Sequence, residues 1–231
     1  MNAIDVRNLT KKYRGRPALD ELTLALPGGQ IVGLMGDNGS GKTTLLKILA
    51  GVLADWSGEV SIAGYAPGPE SKALVSFLPD TSFLNDGDTC ERAIAQYQLF
   101  FADFDPEKAR EMISFFGLPA DRTLKEMSKG MREKAQIALA MSREAKVYLL
   151  DEPISGVDPA SRSVILNGII RNFAPDSLLV ISTHLIHDVE PIIDSAIFLR
   201  QGKVLLSGYA DDLRGEYGCG LDAIFRKVYT S

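Results

Sequence analysis

Eight residues near the start of the chain leave few folds open to it: Gly36-Asp37-Asn38-Gly39-Ser40-Gly41-Lys42-Thr43. They fit the pattern G-x-x-x-x-G-K-[ST], and they stand in the setting that pattern needs. Ahead of them Gln30 to Met35 is an apolar run introduced by Pro27-Gly28-Gly29. Behind them Leu45, Leu46, Ile48, Leu49 and Val52 recur at helical spacing through Lys42 to Leu53. A strand that turns through glycines into a helix can curl its backbone N–H groups around phosphate oxygens, and the helix N-terminus adds partial positive charge. On this reading Lys42 reaches β- and γ-phosphates, Thr43 ligates Mg2+ and Thr44 supports the α-phosphate. A glycine-rich turn that merely caps a helix is the simpler alternative, and the strand–helix context argues against it.

The pattern around this loop is that of an α/β protein. Short strands are expected at Ala3 to Leu9, Leu22 to Leu26, Gly58 to Ile62 and Leu74 to Leu78. Strand patterns then vanish between about Thr89 and Met141, where Glu91 to Phe101, Pro106 to Phe116 and Lys129 to Met141 favour helix. Alternation returns with strands at Val147 to Leu150 and Leu178 to Ser182, separated by a helix over Pro159 to Phe173 with Asp158 as its N-cap. A helix running to Asp194, a hairpin through Gln201-Gly202 and a short helical tail over Leu221 to Val228 complete the expectation. Buried strands alternating with helices argue for a mostly parallel sheet.

A second chemical element follows the insertion. Val147-Tyr148-Leu149-Leu150 is an apolar strand that delivers Asp151 to its carboxyl end, where it can hold hydrated Mg2+, and Glu152 next to it suits the polarising of an attacking water. A buried strand ending in a solvated acidic turn would read the same way in isolation. Beside an intact phosphate loop the catalytic reading is preferred.

With both elements in place the chain resembles the nucleotide-binding subunit of ABC (ATP-binding cassette) transporters along essentially its whole length. Ser128-Lys129-Gly130-Met131 looks like the family's signature motif, Ser155-Gly156-Val157-Asp158 like its D-loop, and Ser182-Thr183-His184 places a histidine where the family senses the γ-phosphate. Tyr13 stands where an aromatic ring stacks on adenine in this family. The resemblance implies ATP and Mg2+ as cofactors. It implies a P-loop NTPase core with a mostly parallel sheet, an N-terminal antiparallel β-subdomain and an inserted α-helical subdomain. The insertion spans roughly residues 81–141 within one domain of residues 1–231. Local alternatives exist for the smaller motifs: Ser128 and Asp158 also suit helix N-caps, Tyr13 an ordinary surface aromatic, and His187 a solvated helix face.

Two positions depart from the family's usual pattern. Leu78-Pro79-Asp80 puts an aspartate where a Q-loop glutamine is usual, which leaves direct Mg2+ ligation by Asp80 open while keeping it at the hinge. Lys129 and Met131 replace a glycine and a glutamine of the signature, while Ser128 and Gly130 are retained. Both departures look like the branch serving ABC-2-type exporters. The resemblance further implies a dimer with a second ATP-binding subunit, identical or different, placed head to tail. Ser128 and Gly130 of one chain would then close over ATP held by Lys42 of the other, with Asp158 as a further nucleotide-binding residue and Glu152, His184 and Lys42 as catalytic groups. Its other implied partner is a transmembrane permease subunit, docked near Thr81-Ser82-Phe83-Leu84. The neighbouring Tyr97, Leu99, Phe100, Phe101 and Phe104 read first as core of the helical insertion and second as part of that docking surface.

Composition narrows the partners. Lys and Arg total 25 against 30 Asp and Glu, a net charge of −5, so no nucleic-acid partner is expected, although soluble ATPases of this family that act on ribosomes or nucleic acid are the rival reading. Cys90 and Cys219 form no Cys-x-x-Cys pair, as suits a reducing compartment. No apolar run approaches a membrane span and the opening Met-Asn-Ala-Ile-Asp lacks a signal-peptide pattern. The expected location is cytoplasmic, peripheral on the inner face of the cell membrane.

Overall fold

A computed structural model describes residues 2–230. The chain opens with β1 (Asn2–Tyr13) and β2 (Arg16–Pro27), then β3 (Gln30–Met35), α1 (Lys42–Leu49), β4 (Ser57–Ile62), α2 (Pro69–Leu74) and β5 (Val75–Leu78). Three helices follow without an intervening strand: α3 (Cys90–Phe100), α4 (Pro106–Phe115) and α5 (Lys129–Met141). The remainder is β6 (Val147–Asp151), α6 (Pro159–Asn172), β7 (Leu178–Thr183), the single turn α7 (Ile186–Val189), β8 (Ser195–Arg200), β9 (Lys203–Tyr209), α8 (Ala210–Tyr217) and α9 (Leu221–Thr230).

Two sheets result. The first is antiparallel, in the order β2-β1-β4, and its hairpin turns at Arg14-Gly15, both with positive φ. The second runs β5-β6-β7-β3-β8-β9, parallel from β5 through β8 and closed by antiparallel β9. Its central strands are buried on both faces, and their side chains sort by the strand period of two. Tyr148 and Leu150 of β6, Leu179 and Ile181 of β7, and Ala196 and Phe198 of β8 join one core, shared with α3 to α6, α8 and α9. Val147 and Leu149, Leu178 and Val180, Ile197 and Leu199 join the other, shared with α1 and the antiparallel sheet. Because β3 lies between β7 and β8 while α1 packs on one face, the loop from β3 to α1 emerges at the carboxyl edge of the sheet, where such folds bind ligands.

The helical insertion is tied back to the sheet by a buried cation. Arg143 donates to the Val75 carbonyl at 2.7 Å, grips Asp103 through Nε and Nη2, and lies 4.1 Å from the centre of the Phe101 ring. The expected α/β architecture is thus present, with some boundaries moved. β1 and β2 are longer than their alternating stretches because they pair along most of their length. α1 stops at Leu49, and Gly51, at φ 67°, reverses the chain. The helix expected up to Asp194 stops after one turn, since Pro191 has no N–H to continue it, and a 3-10 turn (Glu190–Ile192) replaces it. α2 and α8 have no counterpart among the expected elements.

Candidate active site

The phosphate loop is built around its lysine. Lys42 opens α1 and is 6% exposed, and its ammonium folds back to donate to the carbonyl oxygens of Gly36 at 2.7 Å and Asp37 at 3.2 Å. Gly41 precedes it at φ 113°, a conformation that favours glycine, and a Cβ there would stand 2.5 Å from the Ala18 carbonyl oxygen. The loop is closed by the Ser40 N–H to the Asp37 carbonyl at 3.1 Å.

Two acids meet the loop from β6. Asp151 is buried, accepting from the Ser182 hydroxyl at 2.6 Å. Glu152 follows at φ 51°, a left-handed conformation that costs a non-glycine residue about 1–3 kcal/mol. What holds it there is the end of β7: the Glu152 N–H donates to the Ser182 carbonyl at 3.1 Å and lies 3.0 Å from its hydroxyl. This turn sends the Glu152 carboxylate toward the loop, with one oxygen 3.4 Å from Lys42 Nζ and the other 2.9 Å from His184 Nδ1.

The electrostatics of the pair are demanding. Burial pushes the Asp151 carboxyl above its ordinary value; hydrogen bonds from Ser182 and Thr43 pull it back, and the nearby charges of Asp80 and Glu152 push it up further. Among the described residues, the buried side-chain oxygens lacking a hydrogen-bond partner are Ser40 Oγ, Glu133 Oε2, Asp151 Oδ2 and Glu152 Oε1. Three of these belong to this site. Oxygen donors held in a dry place beside other acids, and a threonine hydroxyl against them, are the donor set a Mg2+ ion takes. The residues therefore fit the ion.

An open cavity of about 310 Å³ lies over the loop, bordered by Tyr13, Ala18, Asn38, Lys42, Asp80 and Glu152 among others. Gly39, Gly41, Thr43 and Thr44 complete its wall. Of the sequence-predicted residues, Gly36, Asp37 and Ser40 shape the loop behind that wall, Asp151 is buried off it against Ser182 and His184 reaches it through Glu152. Tyr13 stands at its rim, 48% exposed, with Lys11 Nζ 5.3 Å from its ring centre. Ser128, Gly130 and Asp158 do not border it. Ser128 caps α5 by accepting from the Met131 N–H at 3.2 Å, and Asp158 caps α6 by accepting from the Ser161 N–H at 3.0 Å, a bond that also holds its carboxyl below the ordinary value.

Sequence reasoning gave no role to Ser182, which positions both acids, or to Ala18, which backs Gly41. It also passed over Gln136, whose side-chain oxygen accepts from the Phe83 N–H at 3.2 Å and so anchors the segment beyond Asp80. The aromatics of the insertion divide. Tyr97 packs on Phe101 and Phe104, with ring centres 5.1 and 5.3 Å apart, whereas Leu99 and Phe100 are 81% and 75% exposed.

Comparison with known proteins gives this geometry its relatives. The sequence profile of the ABC transporter family matches residues 19–155. The chain is similar to the ABC transporter ATP-binding protein YtrB of Bacillus subtilis, 27% identical over 93% of this chain and 74% of that protein. It is also similar to the human retinal-specific phospholipid-transporting ATPase ABCA4, 32% identical over 94% of this chain but only 10% of that much longer protein. Among solved structures, one described as an ATP-binding subunit of an ABC transporter superposes with a TM-score of 0.87 at 28% identity, covering 98% of this chain and 99% of its own.

Proposed function

The chain belongs to the ABC transporter family as an ATP-binding ATPase, and from that premise we propose that it closes head to tail with a second cassette over ATP to drive a separate transmembrane permease. The observation that carries this reading is a divided site. Lys42, Thr43 and Glu152 line one cavity, with His184 bonded to Glu152 and Asp151 joined to it through Ser182, whereas Ser128 is exposed and has no contact with any of them. A second chain related by a two-fold axis supplies the missing wall, and each chain then completes the other's site.

Each residue's part follows from its chemistry. Lys42 and the backbone N–H groups of the loop bind the β- and γ-phosphates, and Tyr13 offers its exposed ring to the adenine. Thr43 and Asp151 would hold Mg2+, with Asp80 at its edge; the ion supplies charge neutralisation on the phosphates. Glu152 accepts the proton of the water whose oxygen attacks the γ-phosphorus as the bond to the ADP oxygen breaks. His184 keeps the Glu152 carboxylate aimed and contacts the γ-phosphate. ATP bridges the two chains until hydrolysis divides it into two anions, and the dimer opens.

The likeness to YtrB and to a phospholipid-transporting ATPase supports a transporter subunit, and we read Asp80, Lys129 and Met131 as pointing to an exporter. No helix among the described residues is long and apolar enough to cross a membrane; the peripheral position on the cytoplasmic face, beside a membrane partner, is our reading from the family. Phe83, Leu99 and Phe100, exposed on and beside α3, are the surface we assign to that partner.

The test uses Glu152→Gln. Its ATP turnover should fall about 100-fold or more while ATP binding persists, and the tagged protein, recovered from detergent-solubilised cells with ATP and Mg2+, should bring down a stoichiometric integral membrane protein. Turnover at the parent rate removes Glu152 as the base. Recovery of ribosomes, nucleic acid or soluble proteins alone, from demonstrably solubilised membranes, removes the transporter reading.

A further inference from the structure

The helix α9 carries a tyrosine whose hydroxyl ends at the phosphate loop. The Tyr229 ring lies against Phe225, with centres 4.0 Å apart, and Phe225 meets the buried Phe198 of β8 edge-on at 5.6 Å. Arg200 covers the same ring, its guanidinium 5.3 Å from the centre. From this packing the hydroxyl accepts from the Asp37 N–H at 3.3 Å and donates to the Leu199 carbonyl. The loop is tied nearby to the β8–β9 hairpin, where the Gly202 N–H donates to the Ser40 carbonyl at 2.8 Å. A Cβ on Gly36 would collide with that same Leu199 carbonyl, so the loop is seated tightly at this point.

The Asp37 N–H and the Gly36 carbonyl belong to one peptide group, and a peptide group is planar. Its N–H is held by Tyr229 and its carbonyl accepts from Lys42 Nζ at 2.7 Å. Turning the plane at one end moves the acceptor at the other. We propose that Tyr229 is a positioning residue for nucleotide binding: its hydroxyl fixes the Gly36–Asp37 peptide and thereby the seat of the Lys42 ammonium. The helix α9 is then mechanically connected to the phosphate loop, and whatever displaces α9 weakens the hold on the phosphates. This inference rests on Lys42 being the phosphate-binding lysine.

Tyr229→Phe keeps the ring and removes the hydroxyl. The dissociation constant for ATP should rise about threefold to tenfold, the range a single neutral hydrogen bond spans, with the change falling on KM more than on kcat. In the nucleotide-free protein, amide hydrogen exchange over residues 36–41 should accelerate while α9 keeps its protection. Phe225→Leu is the companion variant, loosening the packing but leaving the hydroxyl; it should lower the melting temperature more than Tyr229→Phe and weaken ATP binding less. An unchanged dissociation constant in Tyr229→Phe overturns the proposal. So does a loss of affinity that follows the loss of stability across both variants, or faster loop exchange only where α9 also loses protection. A parent chain that did not bind ATP would instead remove the reading of the site, and this inference with it.

Discussion

Asp151 is a charge placed where burial and neighbouring acids work against it in the nucleotide-free protein. Its carboxyl titrates above the ordinary aspartate value, because burial outweighs the Ser182 and Thr43 hydrogen bonds and Asp80 and Glu152 repel its charge. A raised acid binds its proton more tightly folded than unfolded. Its contribution to stability is therefore lost as pH rises from the ordinary carboxylate pKa through the raised folded value, and remains lost above it. Asp151→Asn keeps the shape and the Ser182 contact while removing the charge. Calorimetry of the nucleotide-free variant near neutral pH should show a higher melting temperature than the parent's, with a flatter decline from mildly acid pH. Mg2+-dependent ATP turnover should be lost in the same variant. A melting temperature at or below that of the parent would mean that the charge is already compensated in the fold. Catalytic placement and stability would then not oppose each other here, as they do by this account.

At the scale of elements, the contact between the helical insertion and α6 turns on one small residue. Gly168 lies buried in the middle of α6, where alanine would ordinarily gain about 1 kcal/mol of helix propensity. Its Cβ, however, would come 2.6 Å from two carbons of the Phe116 ring, which closes α4 and is itself buried. Overpacking of a well-filled core costs about 1–3 kcal/mol, so the steric term wins. Gly168→Ala should lower the melting temperature by about 2–4 °C, and adding Phe116→Leu should return part of the loss. A rise in Gly168→Ala alone would show that the ring moves aside freely and that propensity decides. The sequence made α6 legible through Asp158, Pro159 and its apolar spacing, but it could not show what faces Gly168. The same limit applies to other elements. The phosphate loop was readable because one backbone turn needs all its residues in a row. The role of Ser182 depends on the β6–β7 register that pairs it with Asp151, a contact between distant stretches. The helix α8 was missed because only Ala210 and Leu213 of its residues are buried, too few to mark a period.

At the scale of the whole molecule, the signature is the part whose purpose a single chain leaves unexplained. Ser128 was readable both as a helix cap and as a nucleotide contact, and its geometry permits both at once. Its oxygen accepts from the Met131 N–H at 3.2 Å, which leaves the hydroxyl proton to donate elsewhere, and the residue is exposed. Placed head to tail, a second chain would present that proton and the N-terminus of α5 to an ATP held by Lys42 of the first. Two substitutions separate the cap from the contact. Ser128→Arg removes both, at a cost of about 1 kcal/mol of helix stability, and fills the interface with a long side chain. Ser128→Asp keeps the cap, since aspartate caps as well as serine, but offers a phosphate a negative charge in place of a proton. In the Glu152→Gln background, sedimentation with ATP and Mg2+ should find the parent as a dimer and both double variants as monomers that still bind ATP. If Ser128→Asp dimerised as the parent does, Ser128 would be a cap and nothing more, and the site would have to be completed from within its own chain. If it stays monomeric while melting like the parent, the exposed serine exists for the other chain's nucleotide. The dimer is then the smallest unit in which each residue of the site has work to do.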